Sequence, residues 1–210
     1  MHQALMPECD DGAPIDAFTG IRAAAFGIYV HFPYCLSKCP YCDFASTAVR
    51  IIPDERYTDA VCSELEFRSH RLDRSERIVH SIYFGGGTPS LWQPSSVARV
   101  LSSIAKRFRV SSLCEITLEA NPDASDAARF GELKSAGVNR LSIGMQSFTP
   151  AILHKLGRAH DRNAAIHAFE AARRAGFENV SLDLIYGVHG QILEQVIDDC
   201  NVAVSLNPDH

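Results

Sequence analysis

The sequence contains no apolar run long enough to cross a membrane as a helix, which argues against an α-helical membrane protein. Its first twenty residues, MHQALMPECDDGAPIDAFTG, have neither a basic start nor an apolar stretch and do not resemble a secretory signal. It lacks a surplus of positive charge: 20 Lys and Arg face 25 Asp and Glu, a net charge of −5. That balance offers no field for nucleic acid and no basic patch for a membrane surface. No flexible linker interrupts the chain, so one domain is expected over residues 27–210, after a disordered lead-in at 1–26. A downstream CxxC or HxxxH, which would complete a closed zinc site, is also missing.

What is present is a cysteine cluster. Of the seven cysteines, an odd number, Cys35, Cys39 and Cys42 lie within HFPYCLSKCPYCDF in the spacing C-x3-C-x2-C. Clustered cysteines without an export signal point to the reducing cytoplasm and to metal binding rather than disulfides. Zinc, a redox pair and an iron–sulfur cluster are the candidates. A four-iron cubane held by three cysteines keeps one iron without a protein ligand, free to bind a small molecule, as a catalytic metal keeps an open position. Cys62, Cys114 and Cys200 fall on expected apolar faces and read as small core residues.

Hydrophobic periodicity alternates along the chain. FGIYVHF, RIVHSIYF, LCEITLEA, NRLSIGMQS and NVSLDLIYG read as strands. Between and after them lie helical patterns, the first carrying Tyr57, Val61, Leu65 and Leu72 on one stripe. Pro94 suits the first turn of a helix, Asp123 an N-cap, and Gly137 and Gly176 helix ends. Such alternation implies parallel strands joined by right-handed crossovers, an α/β fold.

The unusual residues cluster where strands end: HFPYC, GGGTPS, EANP, MQSF and DLIYG. Ligands of parallel α/β proteins bind at that carboxyl edge. Gly85, Gly86 and Gly87 let backbone approach a ligand closely. Glu119 and Asp183 are acids on strand ends, costly to bury unless partnered and suited to accept from ribose hydroxyls. Arg158 has the planar fork that fits a carboxylate. Gln146 supplies both a donor and an acceptor, and His31 stands beside the cysteine loop.

C-x3-C-x2-C after a first strand and GGGTP after a second resemble the radical S-adenosylmethionine superfamily. Further segments in order, ITLEANPD, GVNRLSIGMQSF, LGRAHD and LDLIYG, are similar to the branch that holds oxygen-independent coproporphyrinogen III oxidase and the HemW heme chaperones. The resemblance implies a partial (βα) barrel, here truncated after about five βα units and lacking the family's C-terminal domain. It implies a [4Fe-4S] cluster on Cys35, Cys39 and Cys42, and S-adenosyl-L-methionine held by Tyr29, Tyr41, Gly86, Gly87, Thr88, Glu119, Gln146, Arg158 and Asp183. Phe44 stands where the oxidase carries a further cysteine, which favours the heme chaperone. On that reading heme is the cargo, heme proteins are the acceptors, and flavodoxin or ferredoxin is the electron donor. The alternatives are radical decarboxylation of coproporphyrinogen III, and a structural iron–sulfur or zinc protein.

Overall fold

A computed structural model describes residues 24–72 and 77–210. Most of the expected lead-in lies outside the described residues. Strand β1 (Ala24–Phe32) begins three residues before the expected boundary.

Four more long strands follow: β4 (Arg77–Gly86), β5 (Arg109–Ala120), β6 (Arg140–Gln146) and β7 (Asn179–Leu184). They form one parallel sheet in the order β1-β4-β5-β6-β7. Each lies beside the preceding long strand and runs parallel to it, so the strands' carboxyl ends share one edge. Two short strands, β2 (Tyr34–Cys35) and β3 (Thr47–Ala48), pair across the foot of the cysteine loop.

The connections are α1 (Asp54–Ser69), α2 (Pro94–Arg107), α3 (Ala124–Ser135), α4 (Pro150–Lys155) with α5 (Arg162–Arg174), and a last helix α6 (Leu193–Ser205). Local chemistry sets their ends. Pro94 opens α2, and Lys106 and Arg107 close it against the carbonyl end of the helix dipole. Asp161 caps α5 by accepting from the Ala164 amide at 2.8 Å. Gly137 and Gly176, at φ 113° and 86°, take the left-handed turns after α3 and α5. Leu72 falls beyond the end of α1, so the expected stripe ends at Leu65.

The core lies between sheet and helices. Val30, Phe32, Ile82, Phe84, Leu118, Leu141 and Val180 point from the strands to that side. Val97, Val100 and Ile104 of α2, and Ala165, Phe169 and Ala172 of α5, meet them at helical spacing. Trp92 is completely buried; it stacks on Phe32 at 5.1 Å and donates to the Thr58 hydroxyl at 2.9 Å.

The β7 flank is different. Asp209 and His210 run along β7, with the Leu182 amide donating to the His210 carbonyl and the Asp209 amide to the Val180 carbonyl, both at 3.0 Å. On α6, Leu193, Ile197 and Val204 are exposed in one helical stripe. Cys200 lies on that stripe and is exposed, not a core residue; Cys114 is buried as expected and Cys62 half-buried.

Candidate functional site

At the carboxyl edge of the sheet opens a cavity of about 480 Å³. It is lined by Cys35, Cys39 and Cys42, by Tyr41, Gly86, Gly87 and Thr88, and by Glu119, Gln146, Arg158 and Asp183. The structure therefore brings the residues from five separate strand ends to one wall. Tyr29 is the exception. It lies outside the lining, 59% exposed, stacked on Tyr83 at 6.1 Å.

The cysteine loop is tied down by its own backbone and by His31. The Cys42 amide donates to the Cys39 carbonyl at 3.0 Å, and the Val49 amide to the Cys35 carbonyl at 2.9 Å. His31 Nε2 lies 2.8 Å from the Ala45 carbonyl, and Nδ1 lies 3.1 Å from the Tyr29 hydroxyl. A carbonyl only accepts, so Nε2 donates to Ala45, and Nδ1 meets the Tyr29 hydroxyl.

The glycine loop serves the chain before any ligand. Gly86 sits at φ 123°, and a Cβ there would stand 2.6 Å from the His31 ring. A Cβ on Gly87 would stand 2.5 Å from the Tyr34 carbonyl oxygen. The Gly87 and Thr88 amides donate to the Phe32 and Tyr34 carbonyls at 2.6 and 2.9 Å. The glycines thus let the β4 loop lock against the approach to the cysteines, a role that the sequence reading did not include.

Behind that loop, Glu119 accepts from the Tyr83 hydroxyl at 2.8 Å and from the Gly86 amide at 3.0 Å. Burial pushes its carboxyl above the usual range, and these two donors pull it back in part. Asp183 accepts from Ser142 Oγ at 3.0 Å. Arg158 reaches across: its guanidinium donates to Asn121 Oδ1 at 2.8 Å and the Gly144 carbonyl at 3.0 Å, with Cys39 Sγ at 3.8 Å. Asn121 in turn donates to the Thr88 hydroxyl at 3.3 Å. Tyr41 lies beside Arg158 and Cys39; burial raises its hydroxyl's pKa more than the guanidinium lowers it. Tyr83, Asn121 and Ser142 were missed as individuals in the sequence. Asn121 had a signal, its place in EANP at a strand end.

The three thiols suit a polynuclear cluster. Among the described residues, no three His, Cys, Asp or Glu side chains stand close enough together to hold a single metal ion. A multi-iron cluster takes one thiolate per iron. All three thiols border the same cavity, and the Arg158 guanidinium stands beside one of them, 3.8 Å from Cys39 Sγ.

The model of the radical SAM superfamily matches residues 29–203. The chain belongs to that superfamily. Among curated relatives, the heme chaperone HemW of Haemophilus influenzae is 41% identical over 186 residues, covering 87% of this chain and 49% of the relative. HemW of Escherichia coli is 37% identical, covering 90% and 50%. The chain thus spans about half the length of the curated relatives it matches. Among solved structures, coproporphyrinogen III oxidase (HemN) from Escherichia coli, a radical SAM enzyme, superposes with a TM-score of 0.78 at 28% identity, covering 87% of this chain and 42% of that one. The α/β fold is accordingly a partial radical SAM barrel of five parallel strands.

Proposed function

We propose that this radical SAM chain works as the N-terminal half of a HemW-type heme chaperone. The observation that carries the choice is similarity. The named heme chaperones are up to 41% identical, whereas the oxidase structure is 28% identical over the same share of this chain. Phe44 agrees with it: it is exposed at the rim of the cavity, at the position where the resemblance implies a further cysteine in the oxidase.

Cys35, Cys39 and Cys42 hold a [4Fe-4S] cluster, and the rest of the wall holds S-adenosylmethionine. A [4Fe-4S] cluster held by Cys35, Cys39 and Cys42 would supply one-electron reducing chemistry toward the sulfonium. The chain's own groups bind and orient. Arg158 pairs with the methionine carboxylate, exchanging its present contacts for a charge-assisted fork. Gly86, Gly87 and Thr88 offer backbone groups to the amino end. Glu119, held by Tyr83 and the Gly86 amide, and Asp183, held by Ser142, accept from the ribose. Tyr41 shields the adenine side, and Gln146 closes the floor. Heme is the cargo, passed to heme proteins; flavodoxin or ferredoxin supplies the electron, in the cytoplasm. Among the described residues no helix is long and apolar enough to cross a membrane.

Anaerobic reconstitution tests the cluster. About four irons per chain are expected, lost in Cys35→Ala, Cys39→Ala and Cys42→Ala and kept in Cys62→Ala. A normal cluster in any of the first three would remove the assignment. Cargo is tested by hemin titration of the full-length protein of which this chain is read as the N-terminal half. A Soret shift is expected, with no protoporphyrinogen IX formed from coproporphyrinogen III. Repeated turnover to protoporphyrinogen would establish the oxidase instead.

A further inference from the structure

One buried acid has no part in the site as described. Asp199 lies on α6 and is 3% exposed. Its neighbour Asp198 pairs with Arg162 at 3.0 Å in solvent. Asp199 instead takes the turn after β6 as its partner. It accepts from the Ser147 hydroxyl at 2.6 Å, the Phe148 amide at 2.7 Å and the Thr149 hydroxyl at 3.3 Å. Ser147 is itself fully buried, and its hydroxyl also accepts from the Thr149 amide at 3.0 Å.

That turn begins with a strained residue. Gln146 sits at φ 65°, one of only two described non-glycine residues in the left-handed region. A residue with a side chain stays there only when its surroundings impose it, and such residues concentrate at working sites. Here the conformation has a visible product. It folds the side-chain amide back over Gly144, whose hypothetical Cβ would stand 2.6 Å from Gln146 Nε2. The Gly144 carbonyl is one of the acceptors that hold Arg158. The Gln146 carbonyl accepts from the Ile185 amide at 2.8 Å, which fastens the near side of the turn to β7. The far side, from Ser147 to Thr149, is fastened by Asp199.

We propose that Asp199 is a positioning residue: through Ser147, Phe148 and Thr149 it imposes the left-handed turn at Gln146, and so sets where the Gln146 amide meets the cofactor. The inference rests on reading the cavity as the S-adenosylmethionine site. Asp199 touches neither cofactor nor cavity. It acts only through the turn, and this makes the role separable from general packing.

A double-mutant cycle tests it. Gln146→Gly accepts the left-handed φ freely and removes the amide. Asp199→Asn keeps the shape but replaces one acceptor oxygen with a donor. S-adenosylmethionine affinity is read from its effect on the EPR signal of the reduced cluster. Asp199→Asn is expected to weaken binding about five- to tenfold, the scale of one lost hydrogen bond. In the Gln146→Gly background the same change is expected to cost less than about twofold. Iron content should stay constant throughout. Equal losses in both backgrounds, or native affinity in Asp199→Asn, would overturn the proposal. Ser147→Ala, which removes one donor and leaves Asp199 in place, covers the case in which Asp199→Asn fails to fold. It should show a smaller loss with the same dependence on Gln146, and an equal loss in both backgrounds would again overturn the role.

Amide hydrogen exchange over residues 145–149 gives a readout without the cofactor. Asp199→Asn should speed it while leaving β4 and β5 unchanged; unchanged exchange sinks the positioning role. A native protein whose EPR signal ignores S-adenosylmethionine would sink the cofactor reading instead, and exchange alone would then decide on Asp199.

Discussion

The two faces of the same sheet follow opposite rules. Toward the helices every strand presents apolar side chains, and Phe32, Phe84, Leu118, Leu141 and Val180 are completely buried. On the other face stand Tyr83, Thr117, Glu119, Arg140, Ser142 and Asp183, joined to one another by hydrogen bonds such as Arg140 to Thr117 at 3.2 Å. A parallel sheet covered on both sides usually reads as unbroken apolar runs. Here the strands alternate, because one face packs a core and the other lines the inside of a partial barrel. The comparison separates what holds the molecule together from what it holds.

Mutations on the two faces should therefore fail differently. The largest effect belongs to the helix side. Trp92→Ala removes the central ring of the aromatic cluster and should cost about 3–5 kcal/mol of stability, measured by denaturant unfolding. Where that variant remains folded, its S-adenosylmethionine affinity should be close to native. A stable Trp92→Ala protein that loses cofactor binding would break the division between faces. Next comes the cavity side. Arg158→Ala should weaken S-adenosylmethionine binding by about 1.5–3 kcal/mol, the worth of a charge-assisted hydrogen bond, with the unfolding midpoint little changed. Binding is read by titration of the reduced cluster's EPR signal, and an unaltered affinity would remove Arg158 from the site.

The smallest effect concerns protons. Burial, and then the neighbouring Arg158, hold the His160 imidazole below its ordinary value of 6.5, while its Nε2 donates to the Met145 carbonyl at 3.0 Å. A group whose pKa is depressed by folding stabilises the fold above its unfolded pKa. That contribution is lost as pH falls below 6.5 and through the depressed value. The melting temperature should decline over that acid range, and His160→Gln should flatten the decline. An unchanged slope in the variant would assign the acid sensitivity to other groups.

Much of this was legible in the sequence because its signals are local. Strand periodicity, Pro94 and the glycines at 137 and 176 act through residues a few positions away. The cavity wall was legible too, since unusual residues at five strand ends can meet only at one edge. What escaped depends on contacts between distant segments. Asp199 reads as an ordinary helical acid, and its partners lie about fifty positions earlier. Cys200 fits an apolar stripe by spacing, but that stripe faces outward. The resemblance implies a place for Tyr29 at the cofactor; the contacts that its ring makes with Tyr83 and its hydroxyl with His31 join separate segments and left no trace in the sequence. The strands β2 and β3, two residues each, are too short to leave any periodic trace.

The β7 flank, with the outward Leu193, Ile197 and Val204, governs how the molecule behaves in a crowded tube. Contiguous apolar surface makes collisions sticky. The apparent melting temperature of this 210-residue chain should depend on its own concentration, a sign of mass action between copies. Ammonium sulfate, which sharpens the cost of wetting that surface, should precipitate it early.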